Sequence, residues 1–250
     1  MAPVDPSILR NLPEPVARVL TSFVESAQAA FGSDLKSLVL FGSAADGMLR
    51  PASDVNVLLL LSAFEAKKAE ALREPLRTAV AAIRLNAMFL LESELQPAIE
   101  AFAVKFGDIT RRHVILAGTD PFKEISIPRP AALARLRQTL LNLTLRMREA
   151  YIARGLREEQ LIFLISDMTG PLRACAATLL ELKGTPAATG KEALAQVAAT
   201  LLPGAADSGL MDRISEARQT RTLPAGIAGA TFETLIELSR AMWEHANALS

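Results

Sequence analysis

The sequence has almost none of the residues that build disulfide frameworks or cysteine- and histidine-based metal centres. Its 250 residues include one cysteine, Cys175, and two histidines, His113 and His245. A single cysteine excludes an internal disulfide and a cysteine-based metal cluster. The two histidines are far apart in the sequence, which argues against a histidine-rich metal site.

The chain also has no excess of charge of either sign and no long apolar run. Lys and Arg total 27, Asp and Glu total 27, and the formal net charge is zero. A balanced charge gives no support for a nucleic-acid surface. No run approaches the roughly 20 apolar residues that cross a bilayer, and Met1–Asp5 show no start of a signal peptide. We therefore expect a cytoplasmic protein with neither a membrane nor a nucleic-acid partner.

Apolar residues make up 50% of the chain, and their spacing changes clearly along its length. After Pro128-Arg129-Pro130, apolar residues recur every three or four positions, which is typical of helices in a bundle. We predict an α+β protein with a small mixed β-sheet domain over 1–127 and an all-α helical bundle over 128–250. The predicted helices are 15–31, 64–83, 94–106, 133–151, 161–182, 190–202, 210–219 and 230–249.

Two apolar runs enclose the most informative stretch. Residues 38–41 precede Gly42-Ser43, and residues 54–61 form a second run that begins with Asp54 and Asn56. This pattern predicts a strand, a turn and a second strand. Residues two apart point to the same face of a strand, so Asp54 and Asn56 should lie side by side. A third strand is predicted over 83–91.

This stretch resembles the signature of the nucleotidyltransferase superfamily, particularly bacterial adenylyltransferases of the kanamycin and streptomycin type. The family pattern is an apolar strand, Gly-Ser, a short gap, and Asp-x-Asp on the next strand. Residues 107–122 and the helical region match more loosely. The resemblance implies that Phe41, Gly42, Ser43 and Ser53 bind a nucleoside triphosphate. It also implies that Asp54 binds Mg²⁺, a cation that takes carboxylate and phosphate oxygens.

The chain departs from the family pattern at the positions that matter for catalysis. Asn56 stands where the second aspartate belongs, and Asn86 is the best match to the third carboxylate, usually the general base. An amide keeps a carbonyl oxygen but has no charge and cannot serve as a base. In the loop, Ala44 and Asp46 stand where relatives often have arginines. With Asp54, Asn56 and Asn86 as the catalytic positions, we expect a degenerate site that binds Mg²⁺ weakly or not at all.

Three functions are consistent with these residues. The first is a nucleotidyltransferase-like protein with weak or lost transfer activity that retains nucleotide binding in an interdomain cleft. The second is an active adenylyltransferase that modifies an aminoglycoside-like small molecule or a protein. The third is a non-catalytic interaction protein, such as a scaffold. In the ordinary structural alternative, Gly42-Ser43 is a simple tight turn, Asp54 a cap and Asn86 a polar strand-edge residue.

Overall fold

The computed structural model describes residues 9–50, 53–206 and 209–249. Met1–Asp5, which entered the sequence analysis, lie outside this part. The chain forms two compact units, one of Met1–Ile99 with Asp108–Ser126 and one of Glu100–Gly107 with Ile127–Ser250. Residues 100–107 thus cluster with the helical unit, although they precede the predicted boundary at 128. That the two predicted domains fold independently stays a prediction.

The first unit contains the small mixed sheet that the sequence predicts. Its strands are β1 Leu35–Phe41, β2 Val55–Leu61, β3 Leu85–Leu91 and β4 His113–Gly118. Their order in the sheet is β3-β2-β1-β4. β1 runs antiparallel to both β2 and β4, whereas β2 and β3 are parallel. The α+β class is confirmed.

Four helices accompany these strands along the chain: α1 Glu14–Phe31, α2 Ala66–Ile83, α3 Leu95–Ala101 and α4 Ala103–Arg111. Residues 55, 57, 59 and 61 of β2 point to the sheet face that carries α1 and α2. They pack there against apolar side chains of α1, among them Leu20, Phe23 and Phe31. Asn56 points to the opposite face, as the two-residue period of a strand requires.

Two element boundaries that precede β4 differ from the sequence predictions. The third strand begins at Leu85 instead of residue 83, because Arg84 adopts a left-handed conformation (φ 53°) that ends α2. The single helix predicted over 94–106 is two helices, and α4 continues through Gly107 to Arg111. Phe106 and Ile109, on either side of Gly107, are both buried, so tertiary packing outweighs the low helix propensity of glycine.

The second unit contains the predicted series of helices. They are α5 Arg129–Arg154, α6 Glu158–Leu182, α7 Gly190–Leu201, the unpredicted single turn α8 Pro203–Ala206, α9 Leu210–Thr220 and α10 Ala228–Ala248. Apolar stripes of α5, α6 and α10 share one core, which includes Leu140, Ile165 and Leu235. Arg137 donates from Nε to the carbonyl oxygen of Ala246 at 3.0 Å and so holds the end of α10. No helix in the described ranges is long and apolar enough to span a membrane.

Cys175 lies fully buried on α6, and burial raises the pKa of its thiol to about 12. At pH 8 only about one such thiol in ten thousand is ionised, and the thiolate is the reactive form. We predict that a thiol reagent leaves the native protein unlabelled and takes up one equivalent after unfolding in guanidinium. Thr200→Cys, which adds an exposed thiol on α7, should label rapidly in the native state. Rapid native labelling of the unaltered chain would contradict the packing of α6.

Candidate functional site

The predicted site residues come together because four chain segments meet at one end of the sheet. β1 ends there at Phe41, and β2, β3 and β4 all begin there. Phe41 is paired with Asn56 of β2 and with His113 of β4. Asn56 is in turn paired with Asn86 of β3. The residues that flank these strand ends therefore share one small region.

The two asparagines form a direct side-chain contact. Asn86 Nδ2 donates to Asn56 Oδ1 at 3.0 Å, and Asn56 Nδ2 donates to the backbone carbonyl of Asp54 at 3.4 Å. Asn56 is half-buried and Asn86 is exposed. Parallel pairing places both side chains on the same face, so the contact follows directly from the register. The two positions where the resemblance predicts carboxylates are thus occupied by amides that bond to each other.

Asp54 is held by an arginine that the sequence analysis did not single out. Arg84 Nε donates to Asp54 Oδ1 at 2.8 Å, and both side chains are about half exposed (60% and 50%). Asp54 precedes β2 and Arg84 precedes β3, so the same register that pairs the asparagines brings these two side chains together. A prediction that β2 and β3 pair in parallel could have identified Arg84 as the neighbour of Asp54, because each residue directly precedes its strand.

Gly42 and Ser43 form a tight turn directly after β1. Gly42 has φ 77°, in the left-handed region that favours glycine, and its N–H donates to the carbonyl of Arg112 at 2.9 Å. A side chain at this position would meet only Asn56 Nδ2, at 3.9 Å. The carbonyl of Ser43 accepts from the N–H of Met48 at 2.8 Å. The left-handed backbone conformation, and not a lack of space for a side chain, therefore explains why a glycine occupies this position.

The other two predicted nucleotide-binding residues have clear structural roles. Phe41 is 8% exposed and ends β1 as part of the buried sheet. The Ser53 hydroxyl accepts from the N–H of Arg50 at 3.4 Å, and the Ser53 N–H donates back to the Arg50 carbonyl at 2.9 Å. Ser53 thus closes a turn immediately before Asp54. This turn fixes where the loop re-enters the sheet.

Arg112 is a second basic residue beside the turn that sequence reasoning missed. Its guanidinium donates to both oxygens of Asp108, with Nε at 3.1 Å from Oδ1, and through Nη1 to Asp46 Oδ2 at 3.2 Å. Asp46 is therefore neutralised by a basic residue from a distant part of the sequence. In the sequence analysis, Asp46 is noted only as a residue that stands where relatives often have arginines.

His113, the histidine nearest the site, is part of the structural support. Its Nδ1 lies 3.1 Å from the carbonyl oxygens of both Ile109 and Thr110, and its Nε2 lies 3.3 Å from Asp120 Oδ1. The Asp120 carboxylate also accepts from the N–H of Phe122 at 2.8 Å. These contacts connect the end of α4 to the turn after β4 and engage both ring nitrogens.

The remaining acids near β3 do not replace the missing carboxylates. Glu92 and Glu94 follow the end of β3, whereas Asn86 lies at its beginning. Glu94 Oε2 accepts from the N–H of Leu91 at 3.0 Å and so caps the turn there. The length of the strand separates both acids from Asn56 and Asn86.

The donor set does not fit the magnesium pair that the resemblance implies. Asp54 is the one carboxylate among the three catalytic positions, and Arg84 already neutralises it. The Asn56 carbonyl oxygen accepts a hydrogen bond from Asn86. In the described part of the chain, no three Asp, Glu, His or Cys side chains are grouped so that they could hold a metal ion. Two Mg²⁺ ions need more negative charge than this set supplies.

The helical unit has a pocket of its own, of about 230 Å³. None of the sequence-predicted site residues lines it. Its walls come from α4, α5, α6 and the segment before α5, and they are formed by Ala103, Gly107, Ile127, Arg129, Ala132, Thr178, Glu181 and Leu182.

Comparison with known proteins identifies the fold. No protein-family model matches the chain, and no curated protein sequence matches it. Among solved structures, the spectinomycin adenyltransferase of Enterococcus faecialis, solved with ATP and spectinomycin, is similar at a TM-score of 0.61. The alignment covers 89% of this chain and 98% of the other, with 13% sequence identity. The chain therefore has the nucleotidyltransferase fold, a sheet domain followed by a helical region.

The positive φ of Gly42 generates a stability prediction with a matched control. Gly184, in the loop after α6, has φ 75° and no atom within 4 Å of an added side chain. We predict that Gly42→Ala and Gly184→Ala each lower the free energy of unfolding by roughly 1–2 kcal/mol, the cost of a left-handed alanine. Urea unfolding of both variants measures this. A much larger loss for Gly42→Ala would contradict the open space observed beside it.

Proposed function

We propose that this chain is a nucleotide-binding protein of the nucleotidyltransferase fold whose transfer activity is weak or lost. The observation that carries the proposal is the bonded pair of amides, Asn56 and Asn86, in the region where the family signature has carboxylates. The turn at Gly42-Ser43 lies beside that pair, because Asn56 is the side chain nearest to Gly42.

Support for nucleotide binding comes from the turn and from the fold. Gly42 leaves the backbone open to a phosphate, since only a glycine hydrogen points to the space next to Asn56. The similar spectinomycin adenyltransferase was solved with ATP. A nucleoside triphosphate is therefore the ligand class that this end of the sheet suits best.

Support for impaired catalysis comes from charge and proton chemistry. A positioned general base contributes roughly 10²–10⁴-fold to a reaction rate, and neither Asn56 nor Asn86 can accept a proton at neutral pH. Asp54, the remaining acid, is engaged by Arg84. The expected result is transfer activity near background.

The second candidate is an active adenylyltransferase that acts on an aminoglycoside-like small molecule or a protein. The observation that favours it is the similarity to a spectinomycin adenyltransferase over most of both chains. In that case Asp54 would supply the catalytic carboxylate after release from Arg84. The two candidates differ in rate, so a single assay separates them.

We predict that the unaltered chain binds ATP but releases pyrophosphate far more slowly than about 1 s⁻¹, an ordinary enzymatic rate. The assay uses each nucleoside triphosphate with spectinomycin and a panel of other hydroxyl acceptors. Turnover at about 1 s⁻¹ or faster would favour the second candidate. Failure of every nucleoside triphosphate to bind, with or without Mg²⁺, would contradict the proposed function itself.

The same assay includes variants that test the site. Asn56→Asp with Asn86→Asp should increase Mg²⁺-dependent ATP binding, because two carboxylates return to one face of the sheet. Asn142→Asp makes the same chemical change on the exposed surface of α5 and should have no effect. Gly42→Ala should weaken ATP binding, whereas Gly184→Ala, with the same backbone strain, should not. If the double variant Asn56→Asp with Asn86→Asp binds ATP as Asn142→Asp does, or if Gly42→Ala binds it as Gly184→Ala does, the nucleotide is bound elsewhere.

A further inference from the structure

We propose that this site binds nucleotide phosphates directly, without Mg²⁺, and that the Arg84 guanidinium supplies the positive charge a metal ion would otherwise provide. The inference rests on the proposed function, since it concerns the same end of the sheet. It goes beyond that function by stating the form of the ligand, a free nucleoside triphosphate, and the residue that neutralises it.

The carboxylates beside the site already have cationic partners. Asp54 is paired with Arg84 at 2.8 Å. Asp46 and Asp108 are both paired with Arg112, and Asp108 is paired with Arg111 as well, at 3.8 Å, so that three arginines face three carboxylates. A divalent cation is bound where negative charge is uncompensated, and these three carboxylates offer none. The site is therefore built around arginines instead of a metal.

The two amides present hydrogen-bond donors to the same region. A side-chain amide has two N–H bonds. Asn56 uses one of them on the Asp54 carbonyl, and Asn86 uses one on Asn56 Oδ1. Each residue thus keeps one N–H for a further acceptor. Carboxylates at these positions would repel a phosphate in the absence of metal, whereas amide N–H groups donate to it.

Arg84 is accessible to a ligand. Its side chain is 60% exposed, and its bond to Asp54 uses Nε. A guanidinium has five N–H donors in a planar fork that matches phosphate oxygens, so the two Nη groups provide a bidentate contact. The left-handed backbone conformation of Arg84 fixes the direction in which this side chain leaves the backbone, directly before β3. Arg84 can therefore contact Asp54 and a phosphate together.

A further cation lies in the loop at this end of the sheet. Arg50 precedes the turn that Ser53 closes, and it is half-buried. Burial lowers the pKa of its guanidinium, yet an arginine remains protonated at neutral pH. Arg50 thus adds positive charge to the segment that joins Gly42-Ser43 to Asp54.

Asp54→Asn gives the sharpest test, because the two modes of binding predict opposite results. In a metal-dependent site, loss of the carboxylate weakens ATP binding. In the metal-free site, the negative charge of Asp54 repels the phosphates that Arg84 binds, so its neutralisation should tighten binding. Removal of one unit charge a few ångströms from the phosphates corresponds to roughly fivefold in affinity. Isothermal titration of ATP in EDTA measures the change, and weaker binding by Asp54→Asn would overturn the proposal.

Arg84→Gly tests the arginine without a stability penalty. Glycine accepts the left-handed conformation, so the variant should unfold at the same or a higher temperature than the unaltered chain. Its affinity for ATP in EDTA should fall by at least about tenfold, the typical effect of losing a charged hydrogen bond. Arg221→Gly is the matched control. Arg221 has φ 58°, ends α9 and pairs with Asp167 at 3.3 Å.

The outcomes separate this inference from the proposed function. Equal ATP affinity in EDTA and in excess Mg²⁺, with loss of binding in Arg84→Gly only, supports both. ATP binding that requires Mg²⁺ overturns the metal-free inference and leaves the proposed function standing. Unchanged binding by Arg84→Gly likewise overturns the inference. Absence of ATP binding under every condition overturns both.

Discussion

The parallel pairing of β2 with β3 is the constraint on which the site depends. Because Asn56 lies opposite Asn86, the side chains that precede the two strands, Asp54 and Arg84, are also neighbours. A shift of this register by one residue would turn every side chain of the shifted strand to the other face of the sheet. It would also expose the apolar residues of β2 that pack with α1. The buried core therefore fixes the register, and the register in turn assembles the polar group at the strand ends.

This arrangement gives a consistent physical picture of a nucleotidyltransferase fold without paired carboxylates. Where the family signature concentrates negative charge for metal ions, this chain has one aspartate, two amides and an arginine. We infer that the exchange removes the requirement for a metal, because Arg84 compensates the charge of Asp54 and the amides are uncharged. The same exchange removes the group that would accept a proton from an acceptor hydroxyl. In the function we propose, nucleotide binding and nucleotidyl transfer are thereby separated: the donors suit the first and do not supply the second.

The sequence predicted the fold class, the strand that contains Asn56 and the succession of helices, because each rests on local periodicity and turn chemistry. It did not predict Arg84 or Arg112 as parts of the site. Arg84 follows a helix and belongs to no sequence motif. It becomes part of the site only because two strands pair and bring it next to Asp54, thirty positions away in the sequence. Arg112 reaches Asp46 across sixty-six positions. Contacts of this kind depend on tertiary structure, so a motif shows which residues are present but not which charges are already neutralised.

The central claim is that phosphates bind at the amide pair, and the side-chain amide signals of Asn56 and Asn86 report on it most directly. These signals can be assigned in a ¹⁵N–¹H spectrum from single serine substitutions and followed as ATP is added in EDTA. The account predicts that both shift along one saturation curve, with the same dissociation constant as calorimetry gives. If ATP binds while both amide signals stay unchanged, the nucleotide is bound elsewhere and the account is wrong.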